Sequence, residues 1–238
     1  GNIGKTSITD GSTSTITTSA VGGHGILNRM ERYVNEFIAL PLSKSDVPNV
    51  ITVAGTINTT GAGAHGIVQD GGTSIANISG TVSAKGNRAA AVFHKFGSGH
   101  TVNLAESAVI NGSISAAKRA SNNKLNLNDD ADFELIIGGA PNEGELGQGT
   151  GAGQWSFQLV DEQGLRASRQ SSDRQKVEFV PVALENCAAG STICYEAVYE
   201  EPEAEDQVDD ITNIDNGSLI DSLELGGSGG GSGGSGGG

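Results

Sequence analysis

The chain is poor in the residues that build helical or basic proteins. Charged side chains make up only 18% of its 238 residues and aromatic ones 4%. With Thr, Val, Ile, Ala and Asn abundant instead, this composition excludes a helix bundle or a coiled coil. Nothing in it approaches the roughly 18 to 20 consecutive apolar residues of a bilayer-crossing helix, so no membrane span is expected. Against a net charge of −14 there is no basic stripe, and nucleic acid is not an expected partner. No secretory leader is present and the chain opens at Gly1, which reads as a mature product whose signal peptide has been removed.

Glycine is what the chain has. Ten of its 37 glycines fall in residues 226–238, where only Ser interrupts them, and the other 27 are spread over 225 positions. The terminal run reads as a flexible Gly/Ser tail, engineered or natural. The acidity is equally local: residues 195–225 hold eleven acids and no Lys or Arg, leaving the first 194 residues at −3. That stretch reads as a solvated, self-repelling segment over 200–225.

Cys187 and Cys194 are the two cysteines, with Gly190-Ser191 midway between them. The spacing suits a hairpin pinned by a disulfide, and it excludes a Cys-x-x-Cys redox site. Zinc would need further Cys or His ligands close by, which are missing. A disulfide favours an oxidising, extracytoplasmic setting, extracellular or at the cell surface.

The strongest signal is internal repetition. Val53-Ala-Gly-Thr-Ile57 matches Ile78-Ser-Gly-Thr-Val82 at an offset of 25, which also carries Gly61 onto Gly86. A third copy is read at Ile110-Asn-Gly-Ser-Ile114, displaced by 32. Upstream, Gly23-His24-Gly25-Ile26 matches Ala64-His65-Gly66-Ile67 at an offset of 41, which implies an insertion of sixteen residues in one repeat. Short β-branched runs broken by Gly or Asn give an all-β fold, a right-handed parallel β-helix over residues 1–138. Val53, Ile57, Ile78, Val82, Ile110 and Ile114 are expected in inward columns. A β-sandwich would give no reason for an in-register 25-residue offset.

Residues 55–67 and 108–114 resemble the β-helical passenger regions of bacterial autotransporters. The resemblance covers roughly residues 1–138 and implies a secreted, adhesive or structural surface protein. The family's translocating barrel has no counterpart here.

The insertion is placed at residues 28–49. There Met30, Tyr33, Val34, Phe37 and Ile38 follow a helical period, giving one short amphipathic helix ended before Pro41. Such a helix covers the solenoid or, through Tyr33 and Phe37, docks a partner. Residues 139–199 read as a capping β region with the disulfide hairpin. Trp155–Leu159 is expected to form a strand, and Val177–Val182 its hairpin partner, edged by Pro181. The loop between them carries Arg166, Arg169 and Arg174, facing the acidic segment or an anionic glycan.

Catalytic signals are weak. Gly23-His24-Gly25 matches one element of pectin hydrolases, but the companion Asn-Thr-Asp and Arg-Ile-Lys elements are absent. Acid-assisted glycoside cleavage needs two facing carboxylates, and Asp70 is the one acid in residues 50–100. No enzyme activity is expected. His24 and His65, at equivalent positions, read as a stacked structural pair. Asp129, Asp130 and Asp132, with Asn126 and Asn128, offer oxygen ligands for Ca²⁺ without the spacing of an EF-hand, so no cofactor is expected. Thr13–Thr18 looks like the start of a Thr ladder, but Thr-x-Thr does not recur at the 25-residue offset. The expected function is a non-enzymatic adhesive or structural surface protein that self-assembles head to tail into oligomers or filaments. The alternatives are a carbohydrate-binding module or a polysaccharide-cleaving enzyme.

Overall fold

The computed structural model describes residues 7–29, 48–128, 130–139, 151–160 and 178–199. They form an all-β, mostly parallel solenoid of about four three-sided turns. Each full turn lays one strand on each of three sheets. The first turn is β1 (Ser7–Asp10), β2 (Thr15–Thr18) and β3 (Ile26–Arg29); the second is β4 (Asn49–Val53), β5 (Thr56–Thr59) and β6 (Ile67–Asp70). The third is β7 (Ser74–Ile78), β8 (Thr81–Ala84) and β9 (Ala90–Ser98), and the fourth β10 (Thr101–Leu104), β11 (Val109–Asn111) and β12 (Ser113–Ala116). A two-residue strand, β13 (Ala120–Ser121), pairs on the end of β9. The fifth turn has only β14 (Asn123–Asn128) and β15 (Phe133–Gly139), and β16 (Trp155–Val160) begins a sixth. All the pairs among these strands in the three sheets are parallel.

Alternation decides what faces inward. In most strands inward positions alternate with outward ones, and register stacks the inward Val, Ile and Leu side chains into columns. Val53 pairs with Ile78, then Leu104 and Leu127. Ile16, Ile57, Val82 and Ile110 form a second column. Ile26, Ile67, Val92, Ile114 and Ile137 form a third. Val53, Ile57, Ile78, Val82 and Ile114 are at most 1% exposed, and Ile110 is half-buried. Burying each such side chain contributes about 1.5–3 kcal/mol.

The third copy of the repeat lies one corner away from the expected register. Ile114 stacks on Val92 rather than Val82, and Ile110 stacks on Val82 rather than Ile78. The cause is the corner each motif spans. Gly55 and Gly80 turn the chain from the first sheet to the second, whereas Gly112, at φ 118°, turns it from the second to the third. The same Ile-x-Gly-x-Ile string therefore serves two different corners.

Sixteen extra residues do lie where the arithmetic put them. Nineteen residues separate β3 from β4, against three between β6 and β7. The helix expected at 28–49 falls mostly on 30–47, outside the described residues; Asn28, Arg29 and Asn49 are in strands. The one described helical turn is 3₁₀, Leu184–Asn186.

The C-terminal part differs from expectation in two ways. Trp155–Val160 is not a hairpin arm: β16 continues the solenoid, parallel to β14, with Leu159 on Leu127 and Phe157 on Leu125. Its alternating pattern fits a rung as well as a hairpin, so periodicity alone could not separate them. The antiparallel hairpin is instead β17 (Glu178–Pro181) with β18 (Ile193–Tyr199), and β18 lies antiparallel on β15. Phe133, Trp155 and Tyr199 are buried at this end, and Phe157 meets Phe179 edge-on at 5.4 Å.

Cys187 and Cys194 are bonded, with S–S 2.03 Å. Cys187 follows the 3₁₀ turn rather than lying in a strand, so the bond closes a loop instead of pinning two arms of a hairpin. That loop lies against the third sheet: Ala188 N–H donates to Ser115 Oγ (3.3 Å) and Ala189 N–H to the Arg88 carbonyl (3.2 Å). Gly138 is required beneath it, because a methyl there would crowd Cys187 Sγ and Ser191 Oγ at 2.8 Å. Reduction should lower the melting temperature by roughly 5–10 °C, since so short a loop is worth about 2–3 kcal/mol. Melts with and without reductant, with thiol alkylation followed by mass, check this. An unchanged melt of the alkylated protein would show that the loop's contacts hold without the bond.

Candidate functional site

Among the described residues four histidines lie in or against the core, and the surroundings of each lower its pKa. His24 and His65 sit just before β3 and β6 with rings stacked at 5.1 Å, and Phe93 extends the stack at 4.5 Å. The backbone N–H of His65 donates to His24 Nδ1 (3.2 Å), and that of Ala90 donates to His65 Nδ1 (2.9 Å). A nitrogen that accepts carries no proton, so each ring is neutral with its proton on Nε2. Burial, then repulsion from His24 and Lys95, pushes His65 down to about 4. Burial also lowers His24, helped by Lys95 and Arg29.

The other two lie inside the corner where the third sheet passes into the first, with rings 4.9 Å apart. His100 donates from Nε2 to the Phe96 carbonyl (2.9 Å), so its Nδ1 accepts from Ser74 Oγ (2.7 Å). His94 has the opposite tautomer, donating from Nδ1 to Asn123 Oδ1 (2.8 Å). Asn123 is fixed in that orientation because its Nδ2 donates to the carbonyls of Ala120 (3.2 Å) and Gln154 (2.8 Å). Trp155 covers His94 at 4.7 Å and donates from Nε1 to the Gly138 carbonyl (3.0 Å). Burial holds His94 well below the usual range, and His100 reinforces this. It lowers His100 too, against the raising pull of Phe96 and Asp70.

These shifts have a definite sign. A histidine neutral in the fold but titrating at 6.5 when unfolded binds a proton only in the unfolded chain between its two pKa values. Stability is full above about 6.5 and falls as pH drops, by about 1.4 kcal/mol per pH unit for one fully shifted group. For His65 the loss is complete once pH passes about 4.

The sequence pointed to His24 and His65 and missed His94 and His100. A signal was there: Asn28, Gln69 and His94 recur at the same offsets of 41 and 25 that marked the repeat, and all three are buried. A polar residue likewise precedes or opens four strands of the first sheet, at Asn49, Ser74, His100 and Asn123.

Outside the core, Asp70 Oδ2 bonds Arg29 (3.2 Å) and Lys95 (3.0 Å), the ion pairs found among the described residues. The Thr column is longer than the sequence implied. Thr15, Thr56 and Thr81 stack on the outside of the second sheet and Val109 ends the column, while the neighbouring column runs Thr17, Asn58, Ser83 and Asn111. A groove of about 610 Å³ lies between corner 84–89 and the 3₁₀ turn. Lys85, Asn87, Glu185 and Asn186 line it above a floor that includes Gly86 and Gly112.

Tyr33, Phe37, Arg166, Arg169 and Arg174 lie outside the described residues, as do the acidic segment 200–225 and the tail 226–238. Asp129 is also outside them; Asp130 and Asp132 are exposed, and Asp130 N–H bonds Asn128 Oδ1 in a turn (2.9 Å). Asn126 donates to Asn103, which donates to Asn77, each at 2.7 Å, so those amides form an outer ladder. Among the described residues no three His, Cys, Asp or Glu side chains gather to hold a metal. No helix among them is long and apolar enough to cross a membrane. The chain matches no family model, curated protein or solved structure.

Proposed function

We propose that the chain is a non-enzymatic segment of an extracellular or cell-surface protein, a rigid solenoid of the autotransporter-passenger type that presents adhesive faces. The observation that carries this reading is where the buried polar groups point. All four histidines bond to backbone or to Ser and Asn side chains of the scaffold itself, and Asp70 is engaged by two cations. None is left poised as a base beside a second carboxylate, which hydrolysis of a glycoside requires. The disulfide supports an oxidising compartment.

Self-assembly is part of the proposal. The edges of β1, β2 and β3 carry no further described strand, and a row of unpaired backbone groups is a template for a second chain. Head-to-tail stacking then uses the opposite edges at β16 and β11. Pro181, which lacks an N–H, sits on the outer edge of the third sheet.

A carbohydrate-binding role is the second reading, favoured by the groove at Lys85, Asn87, Glu185 and Asn186. Its side chains carry both signs and two amides, a lining suited to neutral hydroxyls. A depolymerase screen, a glycan array and light scattering of the full chain separate these readings. The scaffold reading expects no polysaccharide cleavage and concentration-dependent growth of particle size. Cleavage of any polymer would overturn it. A monomer at high concentration would remove self-assembly, and glycan binding lost in Asn186→Ala would establish the second reading.

A further inference from the structure

We propose that Asn28, Gln69 and His94 form one unidirectional side-chain hydrogen-bond ladder through the solenoid core, and that a proton on His94 breaks it, making rung stacking acid-labile. The three residues are register partners on β3, β6 and β9, Asn28 opposite Gln69 and Gln69 opposite His94. Strands about 4.8 Å apart bring such side chains within reach of one another by rotation of their terminal amides. Asn28 Nδ2, Gln69 Oε1, Gln69 Nε2 and His94 Nε2 are all buried without a partner. The four atoms are complementary. Asn28 has an N–H to give and Gln69 a carbonyl to take it; Gln69 has an N–H to give and His94 a bare nitrogen to take it. His94 Nε2 is bare because its proton is on Nδ1, committed to Asn123.

Both ends of the ladder are already made. Asn49 Nδ2 donates to Asn28 Oδ1 (3.2 Å), which leaves the Asn28 amide nitrogen to continue. At the far end His94 donates to Asn123, and Asn123 to the Gln154 carbonyl (2.8 Å). Each residue thus accepts from the one before it and donates to the one after. Left unmade, the two middle bonds would leave four buried groups with their full desolvation cost.

His94 is the ladder's titratable member. Protonated, it presents N–H on both nitrogens, so the Gln69 N–H would face another donor. Of the groups packed on it, only the Asn123 amide oxygen favours the charge, and burial outweighs it. Gln69 faces it from β6, Ala116 from β12, Asn123 from β14 and Trp155 from β16. His100 is the one titratable ring packed on it and would repel a second positive charge.

Two variants of the full chain and one spectrum test this. In Gln69→Leu, an apolar side chain of similar size replaces the middle of the ladder. The melting temperature at pH 7.5 should fall by about 2–4 °C. An unchanged or raised melt, the result for a polar group that was never paired, would overturn the ladder. His94→Gln keeps an acceptor and a donor but does not titrate. The wild type should lose more melting temperature between pH 7.5 and 4.5 than this variant, and equal losses would overturn the switch. Should the variant fail to fold, the wild type decides alone. A long-range ¹H–¹⁵N spectrum should show His94 protonated on Nδ1 with Nε2 shifted by an accepted hydrogen bond; an unshifted, bare Nε2 refutes the proposal.

Discussion

Ile57→Asp and Ile78→Asp are each expected to abolish the cooperative thermal transition of the solenoid. Ile57 lies between Ile16 and Val82 in its column, and Ile78 between Val53 and Leu104. Neither is more than 1% exposed. Deleting such a side chain from a packed core costs about 2–5 kcal/mol. Burying a carboxylate with no partner adds several more, or forces it to take up a proton. Together these approach the 5–15 kcal/mol that holds an ordinary domain together. Each rung buries its inward face only against its neighbours, so a rung that fails exposes two others. Circular dichroism melts measure the outcome. A sigmoidal transition near the wild-type temperature in either variant would mean that the column tolerates charge and that the inward assignment is mistaken.

Gly86→Ala should be the most damaging of the small substitutions. Gly86 stacks directly on Gly61 at the corner between the second and third sheets, and a methyl at 86 would overlap the Gly61 carbonyl oxygen. The obstacle is backbone and cannot rotate aside, so the two rungs must part. Overpacking of this kind costs about 1–3 kcal/mol, or about 2–12 °C in melting temperature for a chain of this size. Gly63→Ala is the control. Its φ is +63° but nothing lies within 4 Å of an added methyl, so only the left-handed conformation is penalised, by about 1 kcal/mol. Equal losses in the two variants would show that rung contact is not what Gly86 is for.

Much of the architecture was legible because a parallel solenoid writes its period into the sequence. The offsets of 25 and 41 are the actual distances between stacked residues such as Ile57 and Val82, or Ile26 and Ile67. The period fails as a guide once corners change length. The turn from β8 to β9 takes five residues, whereas β11 passes to β12 through Gly112 alone, and this misplaced Ile114 by one sheet. Where the second-sheet strand is dropped altogether, between β14 and β15, no repeat remains to find β16. The C-terminal reversal was equally hidden, since β15 pairs with β18 across residues 54 to 66 apart. The polar interior was hard to read for a different reason. Asn28, Gln69 and His94 differ in type, and only their shared inward position makes them a set.

The disulfide loop also orders events during folding. Successive rungs in the middle of the solenoid pair residues only about 25 apart, so they can close one after another as the chain is made. The bond from Ala189 to Arg88 joins residues about a hundred apart and must wait for the rest. Until then Phe93, Ser115 and Gly138 on the outside of the third sheet lack the cover that the loop supplies. The finished wall is also chemically closed: where the loop lies against Ser115 and Arg88, Cys187 and Cys194 are both buried and joined, so neither presents a free thiol.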